Sequence, residues 1–197
     1  MDNLGACVFA SWQPGIGDPT LLGWLTVMLY ALVAGLAFRV AGRAAFPPET
    51  RRRERGFWII VGILMMLLAV NKQLDLQSAL TATGRCLAKM QGWYEDRRTV
   101  QKDFLFALAA LSAVFLVAIL ALLRGSWPRT GLAVIGLVFV CGFVMMRAVG
   151  FHHFDKMLGV PVMGIRANGI LEWTGPILIA VSGLMLLRKN NFSQSVW

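Results

Sequence analysis

The sequence predicts an all-α fold: an integral membrane bundle of five transmembrane helices with a short periplasmic-side amphipathic helix. Hydrophobic residues make up 57% of the 197 residues and charged residues only 15%, whereas a typical soluble domain has about 25% charged residues. The mean hydropathy is +0.65. Long apolar runs alternate with polar connections that are too short for a second folded core. We therefore expect one transmembrane domain, 1–197.

The formal charge of +9 is explained by a membrane location. Lys and Arg beside transmembrane helices orient them and contact anionic lipids, so we expect membrane lipids as partners and no nucleic acid.

Residues 4–7 resemble a lipoprotein cleavage site, but only three residues precede them, and we expect neither a signal peptide nor lipidation. Cys7, Cys86 and Cys141 share no CxxC spacing, which excludes a four-cysteine metal site and leaves a Cys7–Cys86 disulfide open.

The chain begins with a segment that contains no Lys or Arg. Two Pro and two Gly between Trp12 and Thr20 predict a folded loop, in which Asp18 or Thr20 caps the helix that follows. The apolar runs after this loop predict the spans. These are 21–40, 57–75, 104–123, 131–149 and 170–187.

The second span places polar residues at its end. The apolar run 57–70 has 14 residues, which as a helix covers only about 21 Å of a roughly 30 Å hydrocarbon layer. No Gly or Pro follows it, so we expect the helix to continue through Asp75 and to place Asn71, Lys72 and Asp75 at the membrane surface, where they need partners. If the run 57–70 instead enters and leaves the membrane on the same side as a re-entrant element, the chain has four spans. An apolar stripe over 76–92 predicts an interfacial helix over the mouth of the bundle.

The orientation follows from the charges that flank the first span. Six arginines follow this span and no positive residue precedes it. They are Arg39, Arg43, Arg51, Arg52, Arg53 and Arg55. The positive-inside rule then places the N-terminus in the periplasm and the C-terminus in the cytoplasm of a bacterial inner membrane. Over the whole chain the bias nearly vanishes, so the orientation depends on this first span.

With five spans, four polar blocks meet on the periplasmic side: 12–20, 71–77, 93–101 and 147–155, with Glu172 beside them. The opposite side has basic turns and little else. Arginine matches phosphate and carboxylate geometry, so this asymmetry predicts a site for a lipid headgroup or a small anionic ligand. The predicted ligand-binding residues are Asn71, Lys72, Arg97, Arg98, Arg147 and Glu172. A structural alternative is that Arg147 pairs with Asp75 or Glu172 and only joins helix ends.

The same side carries candidates for catalysis or metal binding. His152 and His153, with Asp155 or Asp75, are the candidates for proton transfer. Adjacent helical residues point about 100° apart, so one histidine rather than both would bind an ion. His152 and Asp155 are therefore the candidate ligands of a single divalent metal, if one is bound.

The reaction class stays open. The sequence contains no HExxH, GxSxG, Walker or haem-attachment motif, so whether the protein is an enzyme is undecided. The main alternative to a ligand site is a non-catalytic accessory or assembly subunit, whose polar loops dock another membrane or periplasmic protein. A third alternative is a pigment or haem held by one histidine.

Four sequence blocks, WQPGIGDPT, NKQLDLQ, GWYEDRR and FHHFD, resemble a family of uncharacterised bacterial multi-pass inner-membrane proteins. The resemblance spans most of the chain. It implies a bacterial, integral-membrane protein, and no activity follows from it.

Overall fold

The computed structural model describes residues 3–149, 161–162 and 165–194. Within these residues the chain forms seven α-helices, one 3-10 turn at Tyr94–Asp96 and two paired two-residue strands, Pro161–Val162 and Ile165–Arg166. The helices are α1 (Leu4–Ser11), α2 (Leu21–Arg43), α3 (Arg51–Leu74), α4 (Leu76–Met90), α5 (Arg97–Leu122), α6 (Trp127–Val149) and α7 (Ala167–Gln194).

Five of these helices, α2, α3, α5, α6 and α7, are long and apolar enough to cross a membrane. The predicted all-α membrane class and the five spanning helices are confirmed. The remaining two helices, α1 and α4, pack against each other. Helix α1 lies in a part of the N-terminal segment for which the sequence predicted no element, whereas residues 12–20 form the irregular structure that was predicted.

The second span differs from the prediction at both of its ends. Helix α3 begins at Arg51 and has 24 residues, about 36 Å of helix, so the basic run that precedes the apolar residues is itself helical. The expected continuation through Asp75 is wrong. Asp75 has φ +46° and ψ +50°, a left-handed conformation that ends α3 and redirects the chain into α4. Asp tolerates this conformation better than most residues, so a break forms without Gly or Pro.

The spanning helices form a row in the order α3, α2, α7, α6 and α5. Helix α2 packs against both α3 and α7, α7 packs against α6, and α6 packs against α5. The α6–α7 contact is close, because a Cβ atom added to Gly136 would lie 2.7 Å from the carbonyl oxygen of Gly175. Since successive spans are antiparallel, α2, α5 and α7 begin where α3 and α6 end. We call this the upper end of the bundle, and the opposite one the lower end.

Helices α1 and α4 cover the upper end. A disulfide joins Cys7 of α1 to Cys86 of α4, with 6.0 Å between the two Cα atoms. Asn3 caps α1 by accepting a hydrogen bond from Gly5 N at 3.1 Å. The pairing that the cysteine spacing left open is therefore present, and it ties the N-terminal segment to the helix that follows α3.

The lower end contains more than basic turns, which corrects the expectation from sequence. Glu54 in the first turn of α3 is fully buried. It accepts hydrogen bonds from Thr50 Oγ1 at 2.6 Å, from Ser126 Oγ at 3.1 Å and from Arg129 Nε at 3.1 Å. A buried carboxylate at membrane depth needs such partners. This cluster fixes the start of α3 to the start of α6.

Candidate functional site

Lys72 is the centre of an ionic cluster at the upper end. Its Nζ atom lies 3.2 Å from Asp18 Oδ2, in the loop before α2, and 3.2 Å from Glu172 Oε2, on α7. The hydroxyl of Tyr30 on α2 donates a hydrogen bond to Glu172 Oε1 at 3.3 Å. Lys72 and Glu172 are both largely buried, with 14% and 7% of the side chain exposed. The cluster therefore joins α2, α3 and α7 where a membrane would meet water.

The loop before α2 is built to hold Asp18 in this position. Thr20 caps α2 by accepting a hydrogen bond from Gly23 N at 3.1 Å, and its hydroxyl donates to Asp18 Oδ1 at 2.6 Å. The hydrogen bond from Thr20 is the main cause of a lowered pKa of the Asp18 carboxyl, and Lys72 lowers it further against the opposing effect of burial. Asp18 is therefore held as a carboxylate beside Lys72.

The same loop also docks on the break between α3 and α4. Gly17 N donates a hydrogen bond to the carbonyl of Gln73 at 2.6 Å. A Cβ atom on Gly17 would lie 2.7 Å from Cβ of Asp75, so this close approach requires glycine. The left-handed conformation of Asp75 and the Pro- and Gly-rich loop thus fit one another.

A second polar contact joins α2 to α7 close to the cluster. Trp173 Nε1 donates a hydrogen bond to Thr26 Oγ1 at 2.8 Å, and the Thr26 hydroxyl donates to the carbonyl of Leu22 at 2.9 Å. Glu172 and Trp173 are adjacent on α7, so both contacts set the rotation of α7 against α2. They aim Glu172 toward Lys72.

A cavity of about 1010 Å³ lies beside the cluster, between α3, α5 and α6 and below α4. Its size is in the range of a small-molecule or cofactor site. Among the side chains that the structure describes, six charged ones line it: Asp18, Lys72, Asp75, Arg85, Arg147 and Glu172. Besides Lys72, the cations that line the cavity within the described part of the chain are Arg85 and Arg147.

The structure brings together five of the predicted site residues. They are Asn71, Lys72, Asp75, Arg147 and Glu172, and all of them line the cavity. Glu172 has Lys72 as its partner at 3.2 Å, a pair that was not considered from sequence.

Of the other predicted residues, only Arg98 has a described side chain that can be compared with this group. Arg98 is exposed at the start of α5 and does not line the cavity. His152, His153, Asp155 and the side chain of Arg97 lie outside the described residues. Proton transfer and a metal held by His152 and Asp155 therefore stay predictions. Among the described side chains, no three His, Cys, Asp or Glu residues are grouped in a way that could hold a metal ion.

Sequence reasoning missed three members of the site: Asp18 as a partner of Lys72, Tyr30 and Arg85. Tyr30 gave one signal, because its hydroxyl must find a partner inside an apolar span. Asp18 was considered only as a helix cap. Arg85 gave no signal, because it lies off the apolar stripe of α4 and only the turn at Asp75 brings this helix over the cavity.

No protein-family model, curated protein or solved structure matches this chain. The chemistry of the cavity is therefore the basis for assigning a function.

Proposed function

We propose that this protein binds the polar headgroup of a membrane lipid, or a small ligand with the same anionic group, in the upper cavity. The observation that supports this most is the placement of Arg85 and Arg147 on one cavity with the Asp18–Lys72–Glu172 group. Two guanidinium groups can bind a phosphate or carboxylate from two sides. The carboxylates of the same cavity suit the cationic or hydroxyl part of a headgroup.

The proposed location is a bacterial inner membrane, with the upper end and the N-terminus in the periplasm. The arginines that follow the first span support this orientation. The Cys7–Cys86 disulfide at the upper end supports it independently, because disulfides form in the periplasm and are rare in the cytosol. The ligand would then reach the site from the periplasm or from the outer leaflet.

A binding titration tests the headgroup proposal. Purified protein in detergent is titrated with phosphatidylglycerol and, separately, with glycerol phosphate, and bound ligand is counted by native mass spectrometry. The two arms distinguish a lipid from a free phosphate ester. Arg85→Gln combined with Arg147→Gln removes two charge-assisted contacts, each worth about 1.5–3 kcal/mol, so we expect binding to weaken by tenfold or more.

A matched pair of substitutions controls for general attraction of anions to a basic protein. Arg55→Gln combined with Arg188→Gln removes two exposed positive charges from the lower end. This control should bind as the unmodified protein does. Equal binding by the two double variants, or no saturable binding by the unmodified protein in either arm, would contradict the proposal.

The accessory-subunit alternative makes a different prediction for the same proteins. If the polar upper surface docks another membrane or periplasmic protein, the Arg85 and Arg147 substitutions should release a stoichiometric protein partner from gently solubilised membranes. Ligand counts in the titration would then stay at the level of the control.

A further inference from the structure

The upper half of α5 stands away from the rest of the bundle. Only 6% of the residues in the apolar stretch of α5 are buried, against 33–39% in the other four spans. The burial is concentrated near the lower end, where Ile119 and Leu123 are 3% and 1% exposed. Near the upper end Val100 and Phe104 are 42% and 46% exposed. Helix α5 is therefore anchored at the bottom of the bundle and splayed at the top.

The splayed half leaves a wedge-shaped gap in the wall of the cavity. Helices α3 and α5 are the two ends of the helix row, and within the described residues they make few contacts with each other. Both nevertheless line the cavity, together with α6. The row thus curls into an open arc, and the gap between its ends faces the side of the bundle. In a membrane, that side is the hydrocarbon layer.

The walls of the wedge are apolar. Leu67, Leu68, Phe104, Leu108, Phe143 and Val144 line it. Leu68 is four residues before Lys72 on α3, and Phe143 is four residues before Arg147 on α6, so each lies about 6 Å deeper than the charged residue above it. Within the described residues, the cavity therefore has a charged upper layer and an apolar lower layer that borders the gap between α3 and α5.

We propose that the ligand is a membrane lipid with a long acyl chain, which enters sideways between α3 and α5 from the leaflet at the upper end. Its chain lies in the apolar wedge while its headgroup lies against Arg85 and Arg147. This rests on the proposed headgroup function and specifies its ligand. A water-soluble phosphate ester would fill the charged layer and leave the apolar layer without a partner, whereas an amphiphile matches both layers.

The position of the chain can be mapped without changing the protein. The probe is phosphatidylglycerol with a photoreactive diazirine in the middle of one acyl chain, incorporated into nanodiscs with the unmodified protein. We expect the labelled residues, located by fragmentation of the labelled peptides, to be Leu67 and Leu68 of α3 or Phe104 and Leu108 of α5. Labelling spread evenly over outward residues such as Leu111 and Val114, which are 67% and 66% exposed, would overturn the inference.

A pair of substitutions on α5 gives a second test. Leu108→Trp places a larger ring in the wedge, and Leu111→Trp places the same ring on the exposed face three residues away. We expect Leu108→Trp to weaken phosphatidylglycerol binding by about tenfold and Leu111→Trp to leave it unchanged. The thermal unfolding midpoint of each variant shows whether the fold is intact.

The outcomes separate this inference from the headgroup proposal. Glycerol phosphate that binds as tightly as phosphatidylglycerol, with no effect of Leu108→Trp, overturns the lipid inference and leaves the headgroup site standing. Absence of binding in both arms overturns both proposals. A co-purifying transmembrane protein whose crosslinks fall on Phe104 and Leu108 also overturns the inference, because the wedge would then hold a partner helix.

Discussion

Lys72 on α3 and Glu172 on α7, one hundred residues apart in sequence, form an ion pair with 3.2 Å between Nζ and Oε2. The two helices are not neighbours in the helix row, because α2 lies between them. The pair therefore joins α3 to α7 at the upper end of the bundle. Tyr30 joins α2 to the same group through its hydrogen bond to Glu172. The charges of this cluster thus serve the fold as well as the cavity.

Loss of Lys72 should destabilise the protein. Lys72→Met leaves the buried Glu172 without its cationic partner, and breaking a buried ion pair on one side costs about 3–5 kcal/mol. We expect a lower thermal unfolding midpoint in detergent. Adding Glu172→Gln should recover part of the loss, because it removes the more buried of the two carboxylates that Lys72 pairs with. Lys189→Met, at an exposed lower-end residue, is the control, and an equal effect of both lysine variants would contradict the assignment.

The lower cluster should behave as a structural element with no part in ligand binding. Arg129→Met leaves Glu54 buried without its cation, so we expect a loss of stability of about 3–5 kcal/mol. The exposed Glu49→Gln is the control. At a temperature where the Arg129 variant is still folded, its affinity for phosphatidylglycerol should match that of the unmodified protein. A large fall in affinity would show that the two ends are coupled.

The crossing of α6 and α7 should tolerate no side chain at Gly136. A Cβ atom there would lie 2.7 Å from the Gly175 carbonyl oxygen and 2.9 Å from Ile179 Cγ1. Gly136→Ala must push the two helices apart, and overpacking of this kind costs about 1–3 kcal/mol. Gly142→Ala, on the same helix with nothing within 4 Å of the added atom, should be neutral or stabilising. The thermal unfolding midpoints of the two variants test both expectations.

The Asp18 carboxylate should make stability depend on acid pH. Its pKa is lowered in the folded protein from the ordinary value of 3.8. A group with a lowered folded pKa contributes stability above its unfolded pKa and loses it as the pH falls through the folded value. We therefore expect the thermal unfolding midpoint to decrease as the pH is lowered below about 4. Asp18→Asn should make this midpoint less dependent on pH in that range. Asp103→Asn, at an exposed residue, should leave the slope unchanged.

The disulfide provides a test of the proposed orientation. In protein extracted from the membrane without a reductant, Cys7 and Cys86 should resist maleimide labelling after denaturation, and Cys141 should react. Prior reduction should raise the labelled thiols from one to three. Three reactive thiols without reduction would contradict the periplasmic placement of the upper end.

The sequence predicted the part of the site that local chemistry determines. Asn71, Lys72 and Asp75 follow an apolar run, so their place near one surface and their need for partners could be inferred. The identity of the partners could not, because Asp18 and Glu172 reach Lys72 only through the packing of α2 and α7. The turn at Asp75 was missed since no glycine or proline marks it. Glu54 was missed because an acid inside a run of arginines reads as a solvated charge.

The open arc of helices was equally beyond the sequence. The apolar residues of α5 look alike along its length, and only the packing distinguishes Ile119, which is buried, from Phe104, which lines the wedge. The hydropathy of Ile119 and Phe104 indicates only that both side chains suit a membrane. Tertiary packing determines which of them meets a neighbouring helix and which meets a lipid.

Native mass spectrometry of the protein as extracted from its own membrane, in unmodified form and with Arg85→Gln plus Arg147→Gln, tests the cavity assignment most directly. We expect one phospholipid retained per unmodified chain and little or none on the double variant. A mass equal to that of the polypeptide alone for the unmodified protein, or the same retained lipid on both proteins, would contradict the assignment of this cavity as a lipid site.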